Sequence, residues 1–159
     1  MKKATNPCPC GYAHDTHKEC SCSPNLISRY LNKISGPLHD RIDLHLSVPR
    51  PGANILAGGG EPSETSAAIC RRVEQARDIQ AQRGMLNRDL SANELNRDNL
   101  VKPEARALLL EVAERKALSA RSWFRALRVA RTVADLGGRA RVNETHVAEA
   151  LTLRMIDLN

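Results

Sequence analysis

Four of the chain's five cysteines fall within fifteen residues, as Cys8-Pro9-Cys10 and Cys20-Ser21-Cys22. Two Cys-x-Cys pairs separated by a short loop offer four thiolates to one tetrahedral metal. Zinc is the expected ion, in a structural role, because four protein ligands leave no open position for water. His14 and His17 lie between the pairs and could substitute as ligands. The other reading of the same residues is a reduced, metal-free loop. Gly11 follows the first pair, where a tight turn is easiest for glycine. The fifth cysteine, Cys70, reads as a small core residue on the apolar side of a later helix. The cluster begins almost at the first residue, which suggests the C-terminal piece of something larger.

Redox compartment bears on that choice. The start, Met1-Lys2-Lys3-Ala4-Thr5-Asn6, lacks the apolar stretch of a secretory signal, and no apolar run is long enough to span a membrane. A cytoplasmic, reducing location is expected, where clustered cysteines hold metal more often than they form disulfides. Aromatic residues make up only 3% of the 159, so the core must be aliphatic, and the abundance of Ala, Leu, Arg and Glu points to helices. A net charge of +6 suits contact with nucleotide phosphate, nucleic acid or an acidic partner, though composition alone favours a helical domain with solvated arginines.

The expected fold is mainly α, in three parts. Residues 1–50 carry the cysteine-rich segment, then a short helix from Pro24 to Ile34 stopped by Gly36-Pro37, then one strand. In that strand Ile42, Leu44, Leu46 and Val48 alternate with Asp43, His45 and Ser47, a period of two. One strand alone is not stable and needs a sheet that the rest of this chain does not supply. Residues 51–62 are a Pro/Gly-rich linker. Residues 63–155 read as a helical domain. Ser63 or Ser66 would cap its first helix, with Ile69, Val73, Ala76 and Ile79 as the apolar stripe and Gly84 at the end. A short turn follows Ser91. Pro103 opens the next helix, Ser119 caps a helix from Ala120 to Leu136 ended by Gly137-Gly138, and Asn143 caps the last, with Val142 and Val147 as a hydrophobic staple.

Two sets of arginines are candidates for anion chemistry. Arg41 stands just before the strand, where it could reach a neighbouring subunit's nucleotide or pair locally with Asp40 or Asp43. Arg121, Arg125 and Arg128, with Thr132, share one face of the 120–136 helix, which could grip phosphate or simply face solvent. The chain contains no G-x-x-x-x-G-K-[ST] loop. Gly58-Gly59-Gly60 is followed by Glu61, and no apolar run ends in paired acids that would hold Mg²⁺. No nucleophile–base pair is evident.

The string Asn6-Pro7-Cys8-Pro9-Cys10-Gly11, then Cys20-Ser21-Cys22-Ser23-Pro24, then Arg29-Tyr30-Leu31 through Ile34-Ser35-Gly36-Pro37-Leu38 to Asp40-Arg41-Ile42-Asp43-Leu44-His45 closely resembles the C-terminal half of the Mg-chelatase-like AAA+ ATPases, the ComM/YifB group. Residues 118–136 resemble the same group's C-terminal helical lid. The resemblance implies that 1–50 is the end of an α/β AAA+ core with a cysteine-rich insertion and that 63–155 is the lid. It implies roles for three residues: Asn6 as the sensor-1 polar group, Arg41 as the arginine finger, and Arg121 as sensor 2. It implies ATP and Mg²⁺ as cofactors of the complete ATPase, an upstream ATPase core as the partner, and a ring-shaped homo-oligomer. Some members of the group act as DNA branch-migration helicases, so DNA is an implied substrate. The family's P-loop, Walker B acids and amino-terminal protease-like domain have no counterpart in this sequence, so ATP hydrolysis by this chain alone is not expected. The alternative reading is a stand-alone zinc-knuckle and basic helical module for nucleic acid or a protein partner, or an inactive remnant.

Overall fold

A computed structural model describes residues 4–13, 15–33, 41–59, 63–97 and 100–154. Among them are seven α-helices and one 3-10 turn: α1 (Pro24–Leu31), α2 (Ala53–Leu56), α3 (Ser66–Gln82), the turn Asn87–Asp89, α4 (Ala92–Leu95), α5 (Pro103–Lys116), α6 (Ala120–Leu136) and α7 (Glu144–Arg154). The chain divides into two compact units, with the boundary between residues 61 and 62.

The helix starts are set by short-range chemistry. Ser119 Oγ accepts the Ser122 N–H at 3.1 Å, and Ser91 and Glu94 form a reciprocal capping box at the head of α4. Pro103 occupies the first turn of α5, where its missing N–H costs nothing. The cap of α3 is Thr65, which accepts from Ala68 N at 3.2 Å, and neither Ser63 nor Ser66 plays that part. Gly84, just beyond α3, sits at φ +80°, a left-handed conformation that a side chain would strain.

The C-terminal unit is built on α6. Ala126, Ala130 and Ala134 repeat every four residues on its buried face, joined by Leu127. Small side chains at that spacing let neighbouring helices approach, and α6 packs on α3, α4 and α7 while α5 packs on α7. Leu95, Val101, Leu109, Val142, Val147 and Leu151 complete the core, with Trp123 and Phe124 partly buried at its edge. Val142 and Val101 form an isolated parallel bridge that ties the chain before α7 to the chain before α5: Lys102 N donates to Val142 O at 2.9 Å and Val142 N to Leu100 O at 2.8 Å.

Three expectations change. Residues 41–50 form no strand: Leu44, Leu46 and Val48 are 47%, 66% and 87% exposed. The alternation is present in the sequence, but a strand exists only with a ladder partner, and no described segment supplies one. Of the expected stripe on α3 only Ala76 is buried and Ile79 half-buried, with Gln80 buried beside them, while Ile69 and Val73 stay exposed. Cys70 is exposed as well, its thiol donating to Glu74 Oε1 at 3.4 Å, so it is not a core residue. The linker carries the single turn α2. Gly36-Pro37, Ile34, His39 and Asp40 lie outside the described residues.

The head of α7 carries a pH-dependent cap. Asn143 Oδ1 accepts the His146 N–H at 3.1 Å, and His146 Nδ1 accepts the Asn143 N–H at 3.2 Å. This is a capping box with imidazole in the place of a carboxylate, and only the neutral ring can accept. Burial, followed by the charge of Arg131, lowers the His146 pKa; Arg139 adds to this and Glu149 opposes it. A folded-state pKa below the unfolded value of about 6.5 means that the unfolded chain binds the proton more readily. The contribution to stability is therefore complete above about pH 6.5 and is lost as pH falls through the folded value. Thermal melts on the acid side of pH 6.5 should show a shallower pH dependence for His146→Gln, whose amide keeps an acceptor at every pH.

Candidate metal centre and the arginine-bearing helix

The N-terminal unit is organised by sulfur. Gly11 adopts φ +86° and its N–H returns to Cys8 O at 3.1 Å, closing the turn that aims Cys8 and Cys10 the same way. Asp15 Oδ1 accepts the backbone N–H groups of His17 and Lys18 at 2.7 and 3.0 Å, folding the loop back toward the second pair. Lys18 Nζ lies 4.2 Å from the centre of the Tyr12 ring. The outcome is convergence. Cys8 Sγ is 3.3 Å from Cys10 Sγ and 3.7 Å from Cys20 Sγ, Cys10 and Cys20 are 3.5 Å apart, and all four sulfurs, Cys22 included, lie within 4.8 Å of one another.

Those separations fit a tetrathiolate site. Zinc–sulfur bonds of about 2.3 Å in a tetrahedron place the sulfurs about 3.8 Å apart. The thiols of the cluster titrate unequally. The Tyr12 backbone N–H does most to bring the Cys10 thiol down, to about 5, with Cys8 and the Ser21 backbone adding to it against desolvation. At Cys20 the Cys22 N–H acts in the same direction, yet desolvation and the hydrogen bonds to Cys10, Cys8 and Cys22 outweigh it and push the thiol up to about 12. Thiols this close ionise together only when a cation offsets their charge. His17 is exposed and stands outside the set of four; His14 is not among the described residues.

Asn6 is exposed, beside the Gly11 turn, and Arg41 is exposed at the start of segment 41–50. Both belong to the N-terminal unit. Arg121 belongs to the C-terminal unit, exposed in the first turn of α6. The face it was expected to share with Arg125, Arg128 and Thr132 is not uniform. Arg128 turns inward and donates through Nε and Nη2 to Leu90 O at 3.1 and 2.7 Å, and Thr132 bonds to Arg128 O at 2.9 Å.

The sequence reading missed the most heavily bonded polar group of the unit. Asp135 is buried on α6 and accepts from Arg131 Nε and Nη2 at 3.1 and 2.7 Å, from Arg83 Nη1 and Nη2 at 3.3 and 3.1 Å, and from Asn87 Nδ2 at 2.7 Å. Arg131, 1% exposed, also donates to Arg139 O and to Ala140 O, the latter at 2.8 Å. Burial lowers the Arg131 pKa, and the Asp135 charge works against that. The one available signal was the i, i+4 spacing of Arg131 and Asp135, which on most helices marks a solvated pair.

Residues 63–154 match the family model described as magnesium chelatase, subunit ChlI C-terminal, and residues 1–56 match the one described as magnesium chelatase, subunit ChlI. The chain belongs to the magnesium chelatase-like family. Within it the chain sides with the ComM and YifB proteins. It is 39% identical over 152 residues to competence protein ComM of Haemophilus influenzae, which covers 95% of this chain, and 37% identical over 155 residues to the uncharacterized protein YifB of Escherichia coli, which covers 97%. The chain spans 30% of the length of each of these relatives, and its likeness is to the C-terminal part of this magnesium chelatase-like family. No helix among the described residues is long and apolar enough to cross a membrane.

Proposed function

We propose that this chain supplies the sensor, arginine-finger and lid elements of a Mg-chelatase-like AAA+ ATPase that remodels nucleic acid or protein. In this reading residues 1–50 end the α/β core, 51–62 link it to the lid, and 63–155 form the lid. The observation that carries it is the pair of family matches, 1–56 and 63–154, which follow one another in order along nearly the whole chain. Asn6 serves as sensor 1, Arg41 as the finger that reaches the adjoining subunit's nucleotide, and Arg121 as sensor 2 over its own. Support for the last comes from contrast on one helix: Arg128 and Arg131 are committed to internal carbonyls and to Asp135, while Arg121 is presented outward. An arginine against developing phosphate charge stabilises the transition state of phosphoryl transfer.

The partner is an upstream ATPase core, which provides the P-loop and the Mg²⁺-holding acids, and the assembly is a homo-oligomeric ring in the cytoplasm, with DNA as one candidate substrate. Cys8, Cys10, Cys20 and Cys22 hold one structural zinc. The alternating segment from Ile42 to Val48 becomes a strand on the sheet of that core, and hydrogen exchange there should slow when the core is present.

The test uses the longer protein that contains this chain. Arg41→Ala and Arg121→Ala should each lower ATP turnover by at least ~10²-fold. Mixing Arg41→Ala subunits with subunits that cannot bind ATP should restore part of the activity, because each supplies what its neighbour lacks. Arg121→Ala subunits mixed in the same way should stay inactive. Equal rescue in both mixtures would reverse the assignment of the two arginines.

A further inference from the structure

In the N-terminal unit, among the described residues, only Cys8 and Ala13 are buried, and neither α1 nor α2 buries a residue. The packing centre of that unit is the sulfur cluster itself, so whatever changes the bonding state of the sulfurs changes the unit. Cys8 is 0% exposed; Cys10, Cys20 and Cys22 are partly open to solvent. Of the partly open thiols, Cys10 and Cys20 are in contact at 3.5 Å. The shorter Cys8–Cys10 approach, 3.3 Å, joins an enclosed thiol to its neighbour across Pro9 alone. The fixed φ of Pro9 leaves that small ring little freedom to reach the torsion a disulfide requires.

We propose that Cys10 and Cys20 are a peroxide-responsive pair, forming a reversible disulfide that opens the tetrathiolate site. The inference rests on the metal reading for its second half only. The chemistry balances with hydrogen peroxide as oxidant. The Cys10 thiolate attacks one peroxide oxygen, the O–O bond breaks, hydroxide leaves, and Cys10 becomes a sulfenic acid. The Cys20 thiol gives up its proton as it attacks that sulfur, the S–O bond breaks, water leaves with that proton, and the S–S bond forms. The two sulfurs have lost two electrons, peroxide has gained them, and the hydroxide of the first step takes a proton from solvent. Two thiolates then remain, too few to hold a tetrahedral ion, and the loop between residues 10 and 20 is closed covalently in place of the metal.

The chain with Cys70→Ser, which removes the exposed fifth thiol, is treated with hydrogen peroxide and followed in three ways: metal released to a chromogenic chelator, thiols still open to alkylation, and peptide mapping of the linkage. The expected result is loss of two of the four cluster thiols, a Cys10–Cys20 peptide, metal release in step with the bond, and recovery of both on adding dithiothreitol and zinc. Cys20→Ser should abolish the mapped bond and Cys8→Ser should keep it. Linkage within either Cys-x-Cys pair, oxidation that dithiothreitol does not reverse, or four thiols untouched by peroxide would each overturn the proposal. A chain that neither carries nor takes up zinc but still forms the Cys10–Cys20 bond would overturn the metal reading and uphold the pair. Bound zinc without the bond would do the reverse.

Discussion

Chelation of the chain should unfold the cysteine loop while leaving the C-terminal helices intact. Protein purified without added zinc should carry about one equivalent, held by Cys8, Cys10, Cys20 and Cys22. Structural zinc sites contribute roughly 10–16 kcal/mol of apparent binding free energy near neutral pH, and here little else opposes opening. The local hydrogen bonds of the loop, such as those to Asp15, and the contact of Lys18 with Tyr12 are exposed and weak. Removing the ion should therefore abolish hydrogen-exchange protection at residues 8–22 and leave α5, α6 and α7 unchanged. The variant with all four cysteines changed to Ser should behave like the chelated parent. Retention of a full metal equivalent by that variant would place the site elsewhere.

Asp135→Ala should destabilise the C-terminal unit by about 3–5 kcal/mol, the usual result of leaving a buried charge without its partner. The carboxylate faces two guanidinium groups, Arg131 within the core and Arg83 at its margin, with side-chain exposures of 1% and 19%. It also accepts from Asn87, so three residues lose bonds to the carboxylate at once. In a domain of this size the midpoint of thermal unfolding should fall by more than ~10 °C. Asp135→Asn, which keeps the shape and drops the charge, should fall between the two. The pair Arg131→Met with Asp135→Leu should recover only part of the loss, because the side chains of Arg83 and Asn87 would still lose their bonds to the carboxylate and keep only those to Asn87 Oδ1 and Thr132 Oγ1. The surface pair Arg115–Glu111 is the control: its side chains are 75% and 54% exposed, and Glu111→Ala should cost no more than about 0.5 kcal/mol. A loss at Asp135 as small as that would show that the buried network contributes nothing beyond packing.

What could be read along the chain is what a few neighbouring residues determine. The turn after Ser91, the cap at Ser119, Pro103 at the head of α5 and Asn143 before α7 all act within one helical turn, so these four starts were legible before any packing was known, whereas the Thr65 cap of α3 lies two residues after one expected serine and one before the other. The thiol set was legible for the same reason: two Cys-x-Cys pairs joined by a short loop have few ways to meet except at one point. The family likeness was equally present in the strings around Cys8, Arg41 and Arg121.

Tertiary structure decided the rest, wherever an outcome depended on a partner far away in the chain. The period-two pattern from Ile42 to Val48 is a strand only if another strand lies beside it, and the described chain offers none. Ile69 and Val73 have helical spacing, yet only the end of α3, at Ala76 and Gln80, is buried. The Arg131–Asp135 spacing looks like a surface pair until Arg83 and Asn87, from the end of α3 and the turn after it, arrive to enclose it. Burial turns an ordinary i, i+4 pair into the polar centre of the unit, because in a low-dielectric interior each charge must be met by others brought from elsewhere in the fold.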